Sequence, residues 1–179
     1  MKPLSDNIIF YDTEFSSLDP YEGELLSIGA VTHGGEEFYI EIEYDGPVSD
    51  WVRDNIWDGL KDKKVSRQEA GAQLKTFVGS AKPYMISNCN DFDVLYTYKL
   101  FGSVDKCPFY WIPIDFASLL FGMNIDPENY INCDEKLFKS LDIDLAAYNQ
   151  HNALDDARLL REAYMKLIGK KPGLVDEVG

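Results

Sequence analysis

The chain has 179 residues, of which 45% are hydrophobic, 13% aromatic and 27% charged. That length fits one domain of ordinary size, able to bury a core without disulfides, and the composition is not that of a disordered chain. Its formal net charge of −14 argues against a protein that grips nucleic acid mainly through a basic surface. Carboxylate-bound cations can still supply positive charge at one point. Cys89, Cys107 and Cys133 show neither CxxC nor Cys/His zinc spacing, so they read as reduced structural thiols. The start MKPLSDNIIF lacks the apolar stretch of a signal peptide, and FASLLFGMNI is too short to cross a bilayer, so a cytoplasmic location is expected.

In chain order, NIIFYD (7–12) predicts a buried first strand and ELLSIGAVT (24–32) a second. The turn His33-Gly34-Gly35 leads to EEFYIEIEY (36–44), which alternates charged and apolar residues; an antiparallel hairpin is expected. Ser49 or Asp50 can cap a helix through WVRDNIWDGL. Ser66, with Glu69 three residues on, fits the start of a helix running to Val78. YMISN after Pro83 predicts a fourth strand, DVLYTYKLF a helix ending at Gly102, FYWIPID a fifth strand and FASLLFGM a short helix. Residues 126–148 predict short helix and loop. A last helix starts near Asn152, with Ala153, Ala157, Leu160, Tyr164 and Leu167 forming one apolar stripe as far as about Ile168. Strands followed by alternating helix and strand predict an α/β fold with helices packed on a mixed sheet. One domain is expected over 1–168, with a mobile tail over 169–179.

The chemistry-bearing residues are acidic. Asp12 and Glu14 follow the first strand two residues apart, a spacing that lets both face one cation, although by itself it also suits the polar end of a strand. Asp93 and Asp91 both lie where a helix begins, where an acid favours the helix dipole, and local chemistry does not separate them. His151 falls in the loop before Asn152, and Asp156 projects from the first turns of the last helix. Asp155 would sit at the third helical position, where the dipole alone accounts for an acid. His33 reads as a surface turn residue. If the acids converge, two carboxylates ~4 Å apart repel by about 4 kcal/mol at an effective dielectric near 20. Such a cluster takes up protons or hard cations, Mg²⁺ or Mn²⁺, and two ions ~3.5–4 Å apart can clamp an in-line displacement at phosphorus.

Taken in order, Asp12-Thr13-Glu14, Phe92-Asp93 and His151-x4-Asp156 resemble the three motifs of the DEDDh branch of the 3′–5′ exonucleases, of ribonuclease H-like fold. The Phe-Asp match selects Asp93 over Asp91, and the spacing selects Asp156 over Asp155. The DEDDy branch would carry tyrosine at position 152, where this chain has Asn152. DTEF, ELLSIGAV and WVRDNI are further similar to the bacterial ribonuclease AS-type exoribonucleases. The Ser87-Asn88-Cys89-Asn90 run departs from the His-Asn that often precedes Phe-Asp.

The resemblance implies a five-stranded mixed sheet with one antiparallel strand and helices on both faces. It also implies 3′–5′ hydrolysis of single-stranded nucleic acid, RNA favoured over DNA, that releases nucleoside 5′-monophosphates. Asp12, Glu14 and Asp156 would hold one divalent ion, with Asp12 shared with a second whose shell includes Asp93. His151 would take the proton from the attacking water. Phe15 would contact the terminal nucleotide, or else pack in the core. A homodimer is common among such proteins. The rival readings are a phosphatase using Asp12 as nucleophile and a non-catalytic nucleic-acid-binding module of the same fold.

Overall fold

In the computed structural model, which describes residues 4–169, a five-stranded sheet has the order β3-β2-β1-β4-β5. The strands are β1 (Ile8–Phe15), β2 (Leu25–Thr32), β3 (Glu37–Glu41), β4 (Tyr84–Ser87) and β5 (Ile114–Asp115). β2 runs antiparallel to both β1 and β3, so the expected hairpin is present, while β1, β4 and β5 are parallel.

Seven α-helices accompany the sheet among the described residues: α1 (Asp50–Asn55), α2 (Arg67–Val78), α3 (Asp91–Phe101), α4 (Phe116–Gly122), α5 (Pro127–Ile131), α6 (Glu135–Ser140) and α7 (Ala153–Gly169). Their starts, α3 excepted, carry a side-chain cap. Ser49 Oγ accepts the Val52 N–H at 3.1 Å, Ser66 Oγ accepts that of Glu69 at 3.2 Å, and Asn152 Oδ1 accepts that of Asp155 at 3.1 Å. α3 ends at Gly102, whose φ of 76° is the left-handed conformation glycine tolerates best. The tail expected over 169–179 lies outside the described residues, apart from Gly169 at the end of α7. Among the described residues no helix is long and apolar enough to cross a membrane.

Side-chain alternation along β1 divides the core between the sheet's two faces. Ile8 and Phe10 join a cluster that includes Phe116, Leu120 and Phe138 and the α7 stripe residues Leu160, Tyr164 and Leu167. Ile9 and Tyr11 join one built with Ala70 and Leu74 of α2 and Tyr96 of α3. Helices therefore cover both faces, as expected.

Three strands differ from the sequence reading, and one of them, β3, stops at Glu41 short of the expected Tyr44. β1 continues through Phe15, because its ladder with β2 runs on to Phe15–Leu25; Asp12 and Glu14 lie within the strand rather than after it. β5 keeps only Ile114–Asp115 of the expected FYWIPID. Pro113 has no N–H to donate, and the Tyr110 N–H is taken by the Pro83 carbonyl at 2.8 Å.

Between β3 and α2 the chain makes a long excursion over residues 43–64 that carries α1. Its base is closed by Ile42 pairing with Val65 and by the buried Glu41 carboxylate, whose Oε1 accepts the N–H groups of Lys61 (2.9 Å) and Asp62 (3.0 Å). Val52 and Ile56 rest on Leu26 in a small separate cluster.

Candidate active site

The site begins where one ladder stops. β1 pairs with β4 only from Ile8–Tyr84 to Phe10–Ile86, whereas its pairing with β2 runs on to Phe15. Beyond Phe10 one flank of β1 is thus released beside the end of β4, at the point where strand order reverses. Ligand sites of α/β sheets collect in such crevices. Asp12 and Glu14 occupy this stretch, with the parity of Ile8 and Phe10.

α7 closes the crevice on that face. It approaches β2 so tightly at Gly29 that a Cβ there would lie 2.1 Å from the Ala153 backbone, and Gly29 is the register partner of Asp12. A strand position without a side chain therefore sets the start of α7 against the first acid. Ligand atoms of Glu14, His151 and Asp156 lie within 4.8 Å of one another, and Asp12, His151 and Asp156 line one cavity of about 210 Å³ with Asn88 and Tyr130. Asp93 enters from α3 on the other side of β1. It is 4% exposed, and the Thr13 hydroxyl donates to its Oδ1 at 2.7 Å. Asp91, its competitor in the sequence, is exposed.

The electrostatics are those of a buried acidic cluster. Burial pushes the Asp12 carboxyl well above the usual range, with Asp93, Asp156 and Glu14 adding repulsion. Burial, then Asp156 and Asp93, push Glu14 up to about 8. Asp93 is raised to about 7 by burial against the relief of its hydrogen bond from Thr13, and Asp156 to about 7 by burial against the His151 N–H. Among the described residues, no Lys or Arg forms an ion pair with any of these acids. A buried set of hard oxygen donors in this state fits a divalent cation such as Mg²⁺ or Mn²⁺.

His151 sits at the rim. Its backbone has φ 61°, a left-handed conformation that costs a non-glycine residue about 1–3 kcal/mol unless its surroundings fix it. Asp156 supplies that fixation, its Oδ2 accepting the His151 N–H at 2.9 Å. Partial burial lowers the imidazole pKa, which favours the neutral form a base requires.

Asp155 has a role the sequence did not disclose. It is 7% exposed and turned away from the acidic cluster. Its Oδ2 accepts the Asn149 backbone N–H (3.1 Å) and side-chain amide (2.8 Å), and its Oδ1 accepts from Arg158 (2.7 Å). Arg158 continues to Glu37 on β3. This chain of contacts anchors the loop that presents His151. Phe15 stacks on Tyr96 (4.6 Å between centroids, 12°) and on Phe92 (5.6 Å, 28°), and it also lines a second cavity with Glu14 and His151.

No protein-family model matches the sequence. The chain is 28% identical over 172 residues to the DNA polymerase III subunit epsilon of Rickettsia felis and to that of Rickettsia conorii, spanning 90% of this chain and 73% of each relative. Among solved structures, it superposes on an exonuclease I with a TM-score of 0.67 at 17% identity, covering 94% of this chain. The zinc-bound Escherichia coli exonuclease I–single-stranded DNA complex gives 0.66, again at 17% identity. The chain spans 42% of the length of each of these exonucleases. The fold is therefore the ribonuclease H-like α/β fold.

Proposed function

We propose that this protein is a metal-dependent 3′–5′ exonuclease acting on single-stranded nucleic acid. The observation that carries the reading is the convergence of Asp12, Glu14, Asp93 and Asp156 from β1, α3 and α7 at the crevice beside β1, paired with no Lys or Arg among the described residues and rimmed by His151. The similarity to polymerase epsilon subunits and to exonuclease I structures supports it.

Asp12, Glu14 and Asp156 would hold one divalent ion and share Asp12 with a second held by Asp93. Such ions, when bound, neutralise charge on the scissile phosphate and acidify water. The chain's own residues do the rest. His151 accepts a proton from the attacking water at the nitrogen nearest Glu14 and Asp156, Asp156 fixes its backbone, and Thr13 orients Asp93. The products are nucleoside 5′-monophosphates. RNA is taken as the preferred substrate on the resemblance of DTEF, ELLSIGAV and WVRDNI, and the dimer is likewise carried over from relatives.

The test is release of mononucleotides from 3′-labelled RNA and DNA oligonucleotides of matched sequence. Activity should require Mg²⁺ or Mn²⁺ and fall at least 100-fold in His151→Ala, the scale of general-base catalysis, about 10²–10⁴-fold. It should also be faster on RNA. Full activity in His151→Ala sinks the assignment of the base, and the absence of any metal-dependent release sinks the exonuclease reading. Faster release from DNA, the nucleic acid in the names of the similar proteins, reverses the substrate.

A further inference from the structure

Glu41, at the end of β3, is a buried carboxylate outside the acidic cluster. It is 2% exposed, and its two oxygens are served unequally. Oε1 accepts the Lys61 N–H at 2.9 Å, the Asp62 N–H at 3.0 Å and the Tyr39 hydroxyl at 3.1 Å. Oε2 is buried and meets no hydrogen-bond donor among the described residues. No Lys or Arg among them forms an ion pair with Glu41 either. A carboxylate oxygen taken out of water without a donor is unfavourable, so Oε2 has an unmet demand for an N–H or a cation.

Glu41 is also a wall of a cavity of about 260 Å³, which shares no lining residue with the two cavities beside the acidic cluster. Gly59 and Asp62 line it from the base of the excursion, and Leu154 and Asp155 from the first turn of α7. Its basic residue Arg158 is already engaged by Glu37 and Asp155, so that charge is not left over for Glu41. The cavity is small for an organic ligand, which limits the occupant to a few heavy atoms. One free oxygen cannot satisfy the two-pronged donor face of a guanidinium, whereas a compact ammonium group is a point charge with independent donors. Leu154 offers an apolar surface to a short alkyl chain on that group.

We propose that this cavity binds a small ammonium cation, either free ammonium or the head of a short primary alkylamine, which donates an N–H to Glu41 Oε2. The proposal does not rest on the exonuclease reading. An occupant there touches the base of the excursion and the start of α7 at once, so it ties the segment that carries α1 to the helix that carries Asp156. The test is the Tm of the whole protein against rising ammonium chloride or ethylammonium chloride, with potassium chloride and tetramethylammonium chloride as controls, all at constant ionic strength. Either ammonium salt should give a saturable rise, about 3–6 °C at about ten times its Kd, and the tighter of the two identifies the occupant. Glu41→Gln keeps an acceptor for the Lys61 and Asp62 N–H groups but puts an amide N–H where Oε2 was, and it should abolish the rise. Asp62→Asn, which removes a charge from the cavity wall, should move the midpoint to severalfold higher concentration. No saturable rise with either ammonium salt would leave Oε2 to water alone and overturns the proposal. So does an equal rise with potassium or with tetramethylammonium, which has no N–H to donate, and so does an unchanged rise in folded Glu41→Gln. If Glu41→Gln does not fold, Asp62→Asn decides, and an unchanged midpoint there overturns the proposal.

Discussion

Asp155 and Asp156 are neighbours with the same side chain and opposite electrostatic fates. Burial works to raise both. The Arg158 guanidinium and the Asn149 amide groups hold Asp155 below the usual carboxylate range, while Asp156 is pushed up to about 7. One is a satisfied anchor, and the other pairs with no Lys or Arg among the described residues. Truncating the anchor in Asp155→Ala leaves Asn149 and Arg158 without their acceptor and should cost about 2–3 kcal/mol, the scale of hydrogen bonds to charged groups, read as a lower Tm. Freeing the His151 loop should also lower kcat by roughly 10–100-fold, as small misplacements of reacting groups do, with a smaller change in KM. Unchanged kinetics in a folded Asp155→Ala would remove its positioning role. The motif spacing was enough to name Asp156. Asp155 was hidden because the helix dipole alone accounts for a first-turn acid; its contact with Arg158 is local, and only the onward reach of Arg158 to Glu37 spans 121 positions of sequence. Phe15 keeps both of its readings, stacked on Tyr96 and Phe92 and also lining the cavity beside Glu14 and His151.

At the scale of elements, the site depends on how β1 and α7 are brought together, and Gly29 is the joint. A methyl group at that position meets the Ala153 backbone, so Gly29→Ala must push α7 off the sheet. The expected cost is about 1–3 kcal/mol of stability, the usual price of overpacking. Because α7 carries Asp156 and follows His151, kcat should fall more than Tm alone implies; steady-state kinetics well below the new Tm would check this. A Gly29→Ala variant with normal Tm would show that the approach relaxes freely. Helices with Ser or Asn caps and an apolar stripe were legible because their signals are local. The end of β1 was not. Asp and Glu are poor strand formers, and only the long ladder to β2 keeps Asp12 through Phe15 extended. β5 was overread for the converse reason, since β-forming residues before Pro113 bend at 108–109 and 111–112 and join no ladder.

For the whole molecule the acidic cluster makes stability a function of pH and of cations. Glu14 at about 8, Asp93 and Asp156 at about 7, and Asp12, raised well above its ordinary value, all hold protons more tightly folded than unfolded. The folded state therefore binds more protons between about pH 4, where unfolded carboxyls titrate, and about pH 8; over that window the metal-free protein loses stability as pH rises. Its Tm should be lower at pH 8 than at pH 5.5. Mg²⁺ or Mn²⁺ at 100 times its Kd should add about 2.7 kcal/mol, raising Tm by about 5–10 °C at this size. At one fixed cation concentration the gain should be larger at pH 8, where protons compete less, and absent in Asp12→Asn. A pH-independent Tm, or an equal metal shift in Asp12→Asn, would show that the acids are not acting as one set. The fold class was legible because periodicity and motif order agreed; the excursion over residues 43–64 was not, because nothing local announces the Ile42–Val65 closure. That closure has an evolutionary consequence. A loop whose ends are already clasped can be lengthened cheaply, each doubling costing only about 0.6 kcal/mol of closure entropy. Lineages can therefore re-tailor the segment that carries α1 by insertion and deletion while the strand that carries Asp12 and Glu14 keeps its register.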